Sequence, residues 1–278
     1  MNERSTSRLI VTADDVGLHP GMTEGAIQAA ERGIVTACSV VANGADSDAA
    51  LKRLSVLGID VGVHLTLVEE RPLCARSDVP SLLGADGRFL PSYRELAVRY
   101  LSGRIAIADV ERELRAQIEK VLRAGVAVTH MNGHQHLHVL PAIFRTVLRL
   151  AEEFKIGYVR IPSDPVAGFT VRSAAIRALN HLGVRARQQV IEGSIRTNNR
   201  TIGIVEAGHL NRASIVRLLD SVEGVTELVC HPGIDNRAIA ARYRWRYDWD
   251  SETDALCDIT LRQEIASRGI QLIAPRDL

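Results

Sequence analysis

The chain of 278 residues carries 34 basic and 33 acidic side chains, a net charge of +1, and is 46% hydrophobic and 24% charged. These are the proportions of an ordinary globular protein with room for a substantial core, and the near-balance of interleaved charges excludes a nucleic-acid protein driven by phosphate neutralisation. Aromatic residues make up 4% of the chain, which argues against base-stacking surfaces and aromatic sugar platforms.

The predicted elements alternate from the start. RLIVTA (8–13) reads as a buried strand. The polar DDVGLHPG follows, and then MTEGAIQAAERG, a helix that ends near Gly33. IVTACSVVANG (34–44) reads as a second strand, ADSDAALKRLSVLG as a helix with an Asp or Ser cap, and IDVGVHLTL (59–67) as a third strand. From about 68 to 92 the chain is rich in turn residues and predicts an irregular excursion over a strand end. SYRELAVRYLSG and IADVERELRAQIEKVLRAG are amphipathic helices. AVTHMNG (127–133) predicts a strand running into a cluster of histidines. PAIFRTVLRLAEEF is a helix with Pro141 in its first turn, where a missing N–H costs least. Later strands are IGYVRIP, TELVCHPG and IQLIAP; later helices are VRSAAIRALNHLG, NRASIVRLLDSV and SETDALCDITLRQEIASRG.

This β–α repetition, unbroken by a linker, predicts an α/β fold with a mainly parallel sheet covered by helices. A single-domain, distorted (β/α)7–8 TIM-like barrel over residues 1–278 fits it best. MNERSTSRLIV lacks an apolar signal region, and no apolar run reaches the ~18 residues of a spanning helix, so no transmembrane segment is expected. Cys38, Cys74, Cys230 and Cys257 are widely spaced without a C-x-x-C pair, which suits reduced thiols in the cytoplasm.

Barrels of this class place their chemistry at the C-terminal ends of the strands, and acids and histidines collect there. The first strand exits into Asp14 and Asp15, the third carries His64, the strand at 127–132 exits into His134, His136 and His138, and the strand at 225–230 exits into His231. Two adjacent carboxylates are costly unless something positive joins them, and a divalent cation does so. Carboxylate plus histidine ligation suits zinc and its borderline neighbours, whereas magnesium prefers more oxygens. An Asp–His–His set leaves open positions for water and substrate. Taken singly, the same residues have plainer roles. Asp14 or Asp15 can cap the next helix, His64 and His130 can be structural, and His136 or His138 can cap the helix at Pro141. In an extended loop His134, His136 and His138 share a face; in a helix His134 and His138 do. No phosphate-cradling Gly-rich loop is present.

The segments LIVTADDVGLHPGMTEGAIQAAERGIVTACSVVANG (9–44), VGVHLTLVEERPL (61–73), THMNGHQHLHVLPAIF (129–144), YVRIP (158–162), TELVCHPG (226–233) and the terminal IAPRDL carry a resemblance over most of the chain. In this order they resemble the YdjC-like carbohydrate deacetylases, which include chitooligosaccharide deacetylases and a hopanoid-biosynthesis-associated branch. The excursion VEERPLCARSDVPSLLGADGRF resembles the latter branch most. The resemblance implies a distorted barrel of seven or eight strands and one divalent metal ion, magnesium or zinc, held by Asp15, His64 and His134. It also implies Asp14 as general base and His231 as the group that helps protonate the leaving amine. With His134 selected as ligand, His136 and His138 are left to support it or to contact substrate. Arg160 of YVRIP is a candidate substrate contact, a counter-charge for the carboxylates, or a structural ion pair. One departure is Asn132, where the family often has Asp; a charge that orients a ligand histidine is lost there. The expected function is metal-dependent hydrolysis of the N-acetyl group of an N-acetylglucosamine-type carbohydrate or glycolipid, releasing acetate. The alternatives are a non-catalytic sugar-binding or regulatory barrel and a different metal-dependent amidohydrolase. The expected partner is that small acetylated substrate and no nucleic acid, and a homodimer is open.

Overall fold

The computed structural model describes residues 7–278 apart from 167, 192 and 194; the N-terminal MNERST lies outside the described residues. Its strands are β1 (Arg8–Val16), β2 (Ala37–Val40), β3 (Asp60–Leu65), β4 (Val128–Gly133), β5 (Tyr158–Val159), β6 (Arg200–Ile202), β7 (Val225–Cys230) and β8 (Gln271–Leu272). Its helices are α1 (Pro20–Arg32), α2 (Ser47–Leu57), α3 (Tyr93–Leu101), α4 (Ile107–Arg123), α5 (Pro141–Glu153), α6 (Val171–Arg187), α7 (Arg212–Leu219), α8 (Asn236–Arg242), α9 (Trp249–Leu256) and α10 (Thr260–Ser267). The strands form one parallel sheet in the order β5-β4-β3-β2-β1-β7-β6. β8 pairs with Arg8 and Leu9 at the start of β1, on the edge that β2 occupies further along from Thr12. This is the distorted TIM-like barrel expected from the alternation.

The sheet curls until its two edge strands nearly meet, and side chains finish the seam. The buried amide of Asn198 accepts from the Ile161 N–H at 2.8 Å and donates to the Ile161 carbonyl at 2.8 Å. It thus imitates one step of a strand ladder. The Val159 N–H donates to the Arg196 carbonyl and the Thr201 N–H to the Ser163 carbonyl on either side of it.

Strand alternation sorts the barrel into an apolar outside and a polar inside. Leu9, Val11 and Ala13 of β1, Val61 and Val63 of β3, and Met131 of β4 are fully or almost fully buried in the core beneath the helices. The helices meet them with matching stripes. Val110, Leu114, Ile118 and Val121 of α4, and Ile143, Val147 and Leu150 of α5, recur at three- and four-residue spacing and are buried. The inward positions form layers. Ile10, Tyr158 and Val225 pack together at the bottom. Thr12, Ser39, His130 and Glu227 follow, all inaccessible to solvent. His130 bonds Ser39 Oγ and Thr129 Oγ1, each at 3.0 Å, so the structural reading of this histidine holds. Gly62 leaves room for it: a Cβ there would lie 2.3 Å from the imidazole.

Two elements escaped the sequence reading, and one divided. The three-residue β6 is too short for a periodicity signal, and α8 follows a turn closed by the side chain of its own cap, Asp235. The segment 251–269 reads as one helix but is two. The Asp258 carboxylate bonds the Thr260 N–H at 2.8 Å and its hydroxyl at 2.6 Å, restarting the chain as α10. The excursion from 68 to 92 is irregular as expected, yet Val68, Val79, Leu82, Phe89 and Leu90 plug it into the core. No helix among the described residues is long and apolar enough to cross a membrane.

Asn198→Ala orphans both polar groups of Ile161 in a site closed to water. We expect a loss of about 1–3 kcal/mol for each group left unpaired, read by urea unfolding. A variant as stable as the parent would mean that the seam closes without this side chain.

Candidate active site at the barrel mouth

In a regular strand the neighbours Asp14 and Asp15 would point to opposite faces. β1 avoids this with a bulge. Ala13 pairs with Cys38 and Val16 with Val40, so β1 spends three steps where β2 spends two. Asp15 takes the extra step in a left-handed conformation, φ 63°. Both carboxylates consequently line the cavity at the barrel mouth, although each is at least 97% buried.

Asp15 Oδ1 lies 2.8 Å from Nδ1 of His134 and 3.3 Å from Nε2 of His64. One donor atom from each of the three residues falls within 4.8 Å of the others, and all three side chains are buried. The orientation of both rings is imposed from behind. The Asn132 amide donates to Asp14 Oδ1 at 3.1 Å, which points its oxygen at His64 Nδ1, 2.7 Å away. His64 Nδ1 therefore donates, and Nε2 is turned toward Asp15. The missing charge at position 132 matters little, because a neutral amide serves Asp14 and His64 together. On the other side His134 Nε2 meets Glu69 Oε2 at 3.0 Å, and Gln135 secures the second Glu69 oxygen at 3.1 Å. Glu69 stands in the excursion and adopts φ 66° to reach in. Burial would lower the basicity of His134, but the Asp15 and Glu69 carboxylates push it up to about 10. The position calls for positive charge.

Below lies a fully buried ion network. Arg160 donates through Nη1 to Asp14 Oδ2 at 2.5 Å and through Nη2 to Asp14 Oδ1 at 2.9 Å. The same Nη2 donates to Glu227 Oε1 at 2.8 Å. Thr12 and Tyr158 hydroxyls complete Glu227 at 2.6 and 2.7 Å. Burial alone would raise Asp14, yet Arg160, with His64 behind it, holds this carboxyl well below the usual carboxylate range. Arg160 is inaccessible to solvent and absent from the cavity wall. It is the counter-charge of the carboxylates, which corrects the alternative of a substrate contact.

The histidine tract is neither extended nor α-helical. It is a 3-10 turn in which Gln135 and His136 have φ of 51° and 55°. This separates the rings. His134 reaches Asp15 and His136 lines the cavity. His138 turns away, its Nε2 donating to the Arg160 carbonyl at 2.9 Å. His138 thus braces the backbone of Arg160, just past β5, and does not line the cavity, a second correction to the expected substrate contacts.

His231 lines the cavity just past β7. Its backbone N–H donates to Glu252 Oε1 at 2.5 Å, and its ring Nδ1 lies 3.9 Å from the same oxygen. That Nδ1 is buried with no hydrogen-bond partner among the described residues. Burial keeps His231 below its ordinary value and pushes Glu252 up to about 8.

The cavity holds about 600 Å³. Part of its lining is apolar: Leu137, Leu140, and Ile176, Leu179 and Leu182 of α6. Another part is aromatic. Both tryptophans and two of the five tyrosines fall within YRWRYDW, residues 243–249, and Trp245 and Tyr247 face the cavity. The low aromatic content argued against such a surface, but composition is blind to local concentration; the alternation of rings with Arg244, Arg246 and Asp248 was the available signal.

The YdjC-like protein family model matches residues 8–267. The chain belongs to this family. A human relative named carbohydrate deacetylase is 31% identical over 300 residues, covering 99% of this chain and 92% of that protein. One from Geobacillus stearothermophilus with the same name is 32% identical over 271 residues, covering 96% of each. Among solved structures, one from Enterococcus faecalis V583, described as a candidate cellobiose-phosphate cleavage protein, superposes with a TM-score of 0.77 at 24% identity, covering 98% of this chain and 99% of that one. This last likeness is one of fold.

Arg160→Met leaves Asp14 and Glu227 buried without their shared cation. Stability should fall by about 3–5 kcal/mol, the usual penalty for breaking a buried pair. Adding Glu227→Gln should recover part of the loss, and denaturant unfolding of the single and double variants measures the coupling.

Proposed function

We propose that the protein is a metal-dependent hydrolase that removes the N-acetyl group from an N-acetylglucosamine-type carbohydrate or glycolipid. The observation that carries this reading is the convergence of Asp15, His64 and His134 at the mouth of a large cavity, flanked by Asp14 and His231. The relatives named carbohydrate deacetylase support it. The donor set fits a divalent cation: one carboxylate and two imidazoles, already oriented by Asn132 and Glu69, in a place that His134 marks as short of positive charge. Zinc and its borderline neighbours suit such donors best. A bound cation supplies polarisation of the acetamide carbonyl and acidifies water, which a carboxylate as weakly basic as Asp14 requires.

Asp14 takes a proton from the attacking water. It stays ionised at working pH because Arg160 and Asn132 donate to its oxygens. As the water oxygen joins the carbonyl carbon and the C–N bond breaks, the amine needs a proton, and His231 stands at the cavity wall to give it. Glu252 lies behind it, its carboxyl held protonated at neutral pH by burial, with Oε1 accepting the His231 backbone N–H and standing 3.9 Å from the ring Nδ1. The apolar part of the lining favours a substrate whose sugar carries an apolar substituent. Free, widely separated cysteines suit a cytoplasmic setting.

The decisive experiment is release of acetate from N-acetylated oligosaccharides and an N-acetylglucosaminyl lipid by metal-loaded protein. Asp14→Asn should keep its metal, measured by calorimetry, and lose at least ~10²-fold in turnover, the scale of one general base. Full activity in that variant would remove Asp14 from the mechanism.

A second outcome concerns pH. A carboxyl raised to about 8 is protonated below that value and gives up its proton above it. The buried carboxyl behind His231 therefore gives up its proton and becomes charged as pH rises, and kcat should decline on the alkaline side near pH 8. In Glu252→Gln this limb should move or vanish. An unchanged limb would exclude Glu252 as its source.

A further inference from the structure

The strip Tyr243–Trp249 alternates aromatic with charged residues, and the structure uses the two sides differently. Arg244, Arg246 and Asp248 are exposed. Tyr243 and Trp249 are buried and pack with Leu18, Met22, Val41 and Ile239. Trp245 and Tyr247, between them, are only half-buried and face the cavity. The four rings form a continuous run: Tyr243 to Trp245 is 4.8 Å between centroids, Trp245 to Tyr247 5.7 Å, and Tyr247 to Trp249 5.6 Å.

The outer pair sits directly over the chemistry. The Trp245 ring lies 5.4 Å from that of His134, and the Tyr247 ring 5.4 Å from that of His231. Their positions are fixed from both ends. Glu70, the neighbour of Glu69, accepts from the Tyr243 hydroxyl at 2.9 Å and from Arg242 at 2.9 and 3.1 Å. The Asp248 N–H donates to the Gly208 carbonyl at 2.8 Å. Tyr247 packs closely on Gly208, where a Cβ would come within 2.0 Å of the ring. Rings needed only to fill the core would be covered like Tyr243 and Trp249. These two instead offer rigid, pre-positioned apolar faces to the cavity.

We infer that Trp245, supported by Tyr247, is the platform on which the pyranose ring of the acetylated sugar stacks, holding its acetamide between His134 and His231. A pyranose has an apolar face of axial C–H groups, and these pack on the face of an aromatic ring whose edges and surroundings remain polar. His136, which also lines the cavity, supplies a polar edge for the hydroxyl groups. Because the strip is held before the sugar arrives, little side-chain entropy is lost on binding. The platform selects for a ring, where the residues below it select for an acetamide. This inference rests on an acetylated sugar being the substrate.

Binding, not turnover, tests it. Titration with N,N′-diacetylchitobiose should change the tryptophan fluorescence of the full-length protein. The signal should persist in Trp249→Phe and disappear in Trp245→Phe, which keeps an aromatic face and should bind within about threefold of the parent. Trp245→Leu should bind the disaccharide at least about tenfold more weakly, measured by calorimetry, and bind the ring-less probe N-acetylethanolamine as the parent does. The platform is overturned by parental affinity of Trp245→Leu for the disaccharide, by an equal loss on both probes, or by no disaccharide binding in the parent. The two readings fail separately. Sugar binding without acetate release would sink deacetylation and leave the platform; acetate release undiminished by Trp245→Leu at low substrate would do the reverse.

Discussion

One buried arginine sets the terms for everything above it. Arg160 brings a full charge into a barrel interior closed to water, where an unpaired ion is prohibitive. Asp14 and Glu227 answer that charge from two different strands, and Thr12 and Tyr158 satisfy what Glu227 has left. In return Asp14 is pinned by two guanidinium bonds and kept ionised. A carboxylate so held is a poor base but a well-placed one, and its orientation fixes Asn132, which fixes His64. The chain of hydrogen bonds from Glu227 to the Nε2 of His64 has no free rotor in it. A site of this kind is built before any ligand enters.

The strain in the backbone is concentrated where it sharpens this arrangement. Asp15, Glu69, Gln135 and His136 all have positive φ without being glycine, and each either contacts or flanks the Asp–His–His cluster. Such conformations cost on the order of 1–3 kcal/mol each and persist only where the surroundings over-determine them. The β1 bulge turns two consecutive acids to one side, and the left-handed pair in the histidine turn splits three rings among three tasks. Glu69 and Glu70 divide in the same manner, one holding a histidine of the cluster and its neighbour anchoring the aromatic strip. The excursion is in this sense a clamp between two walls of the cavity.

Much of this was legible in the chain itself. The alternation of short apolar strands with amphipathic helices was enough for a parallel sheet covered by helices, because that arrangement buries both faces of its strands, and the absence of a linker favoured a single barrel. Placement at strand ends was enough to group Asp14, Asp15, His64, His134 and His231, and the structure brings these five to one cavity. Local chemistry also fixed helix limits such as Gly33 after α1 and Pro141 opening α5. These are signals carried by neighbouring residues, and sequence order preserves them.

The remaining features depend on partners far apart in the chain. Arg160 and Asp14 are 146 residues apart, Tyr243 and Glu70 are 173 apart, and nothing local announces either pair. The barrel interior carries Thr12, Ser39, His130 and Glu227 where hydropathy alone would place aliphatic side chains, because a polar group is tolerated inside once its partner arrives from another strand. His136 and His138 read alike in the sequence and part only when two left-handed residues turn one toward the cavity and the other toward Arg160. Periodicity and strand-end position are local properties, so the fold class and the short list of clustered acids and histidines were legible in the chain alone. Which of those side chains meet one another, which brace a neighbour and which face the cavity was settled by contacts across the barrel, since a hydrogen bond's direction and a buried charge's partner exist only after the strands have closed.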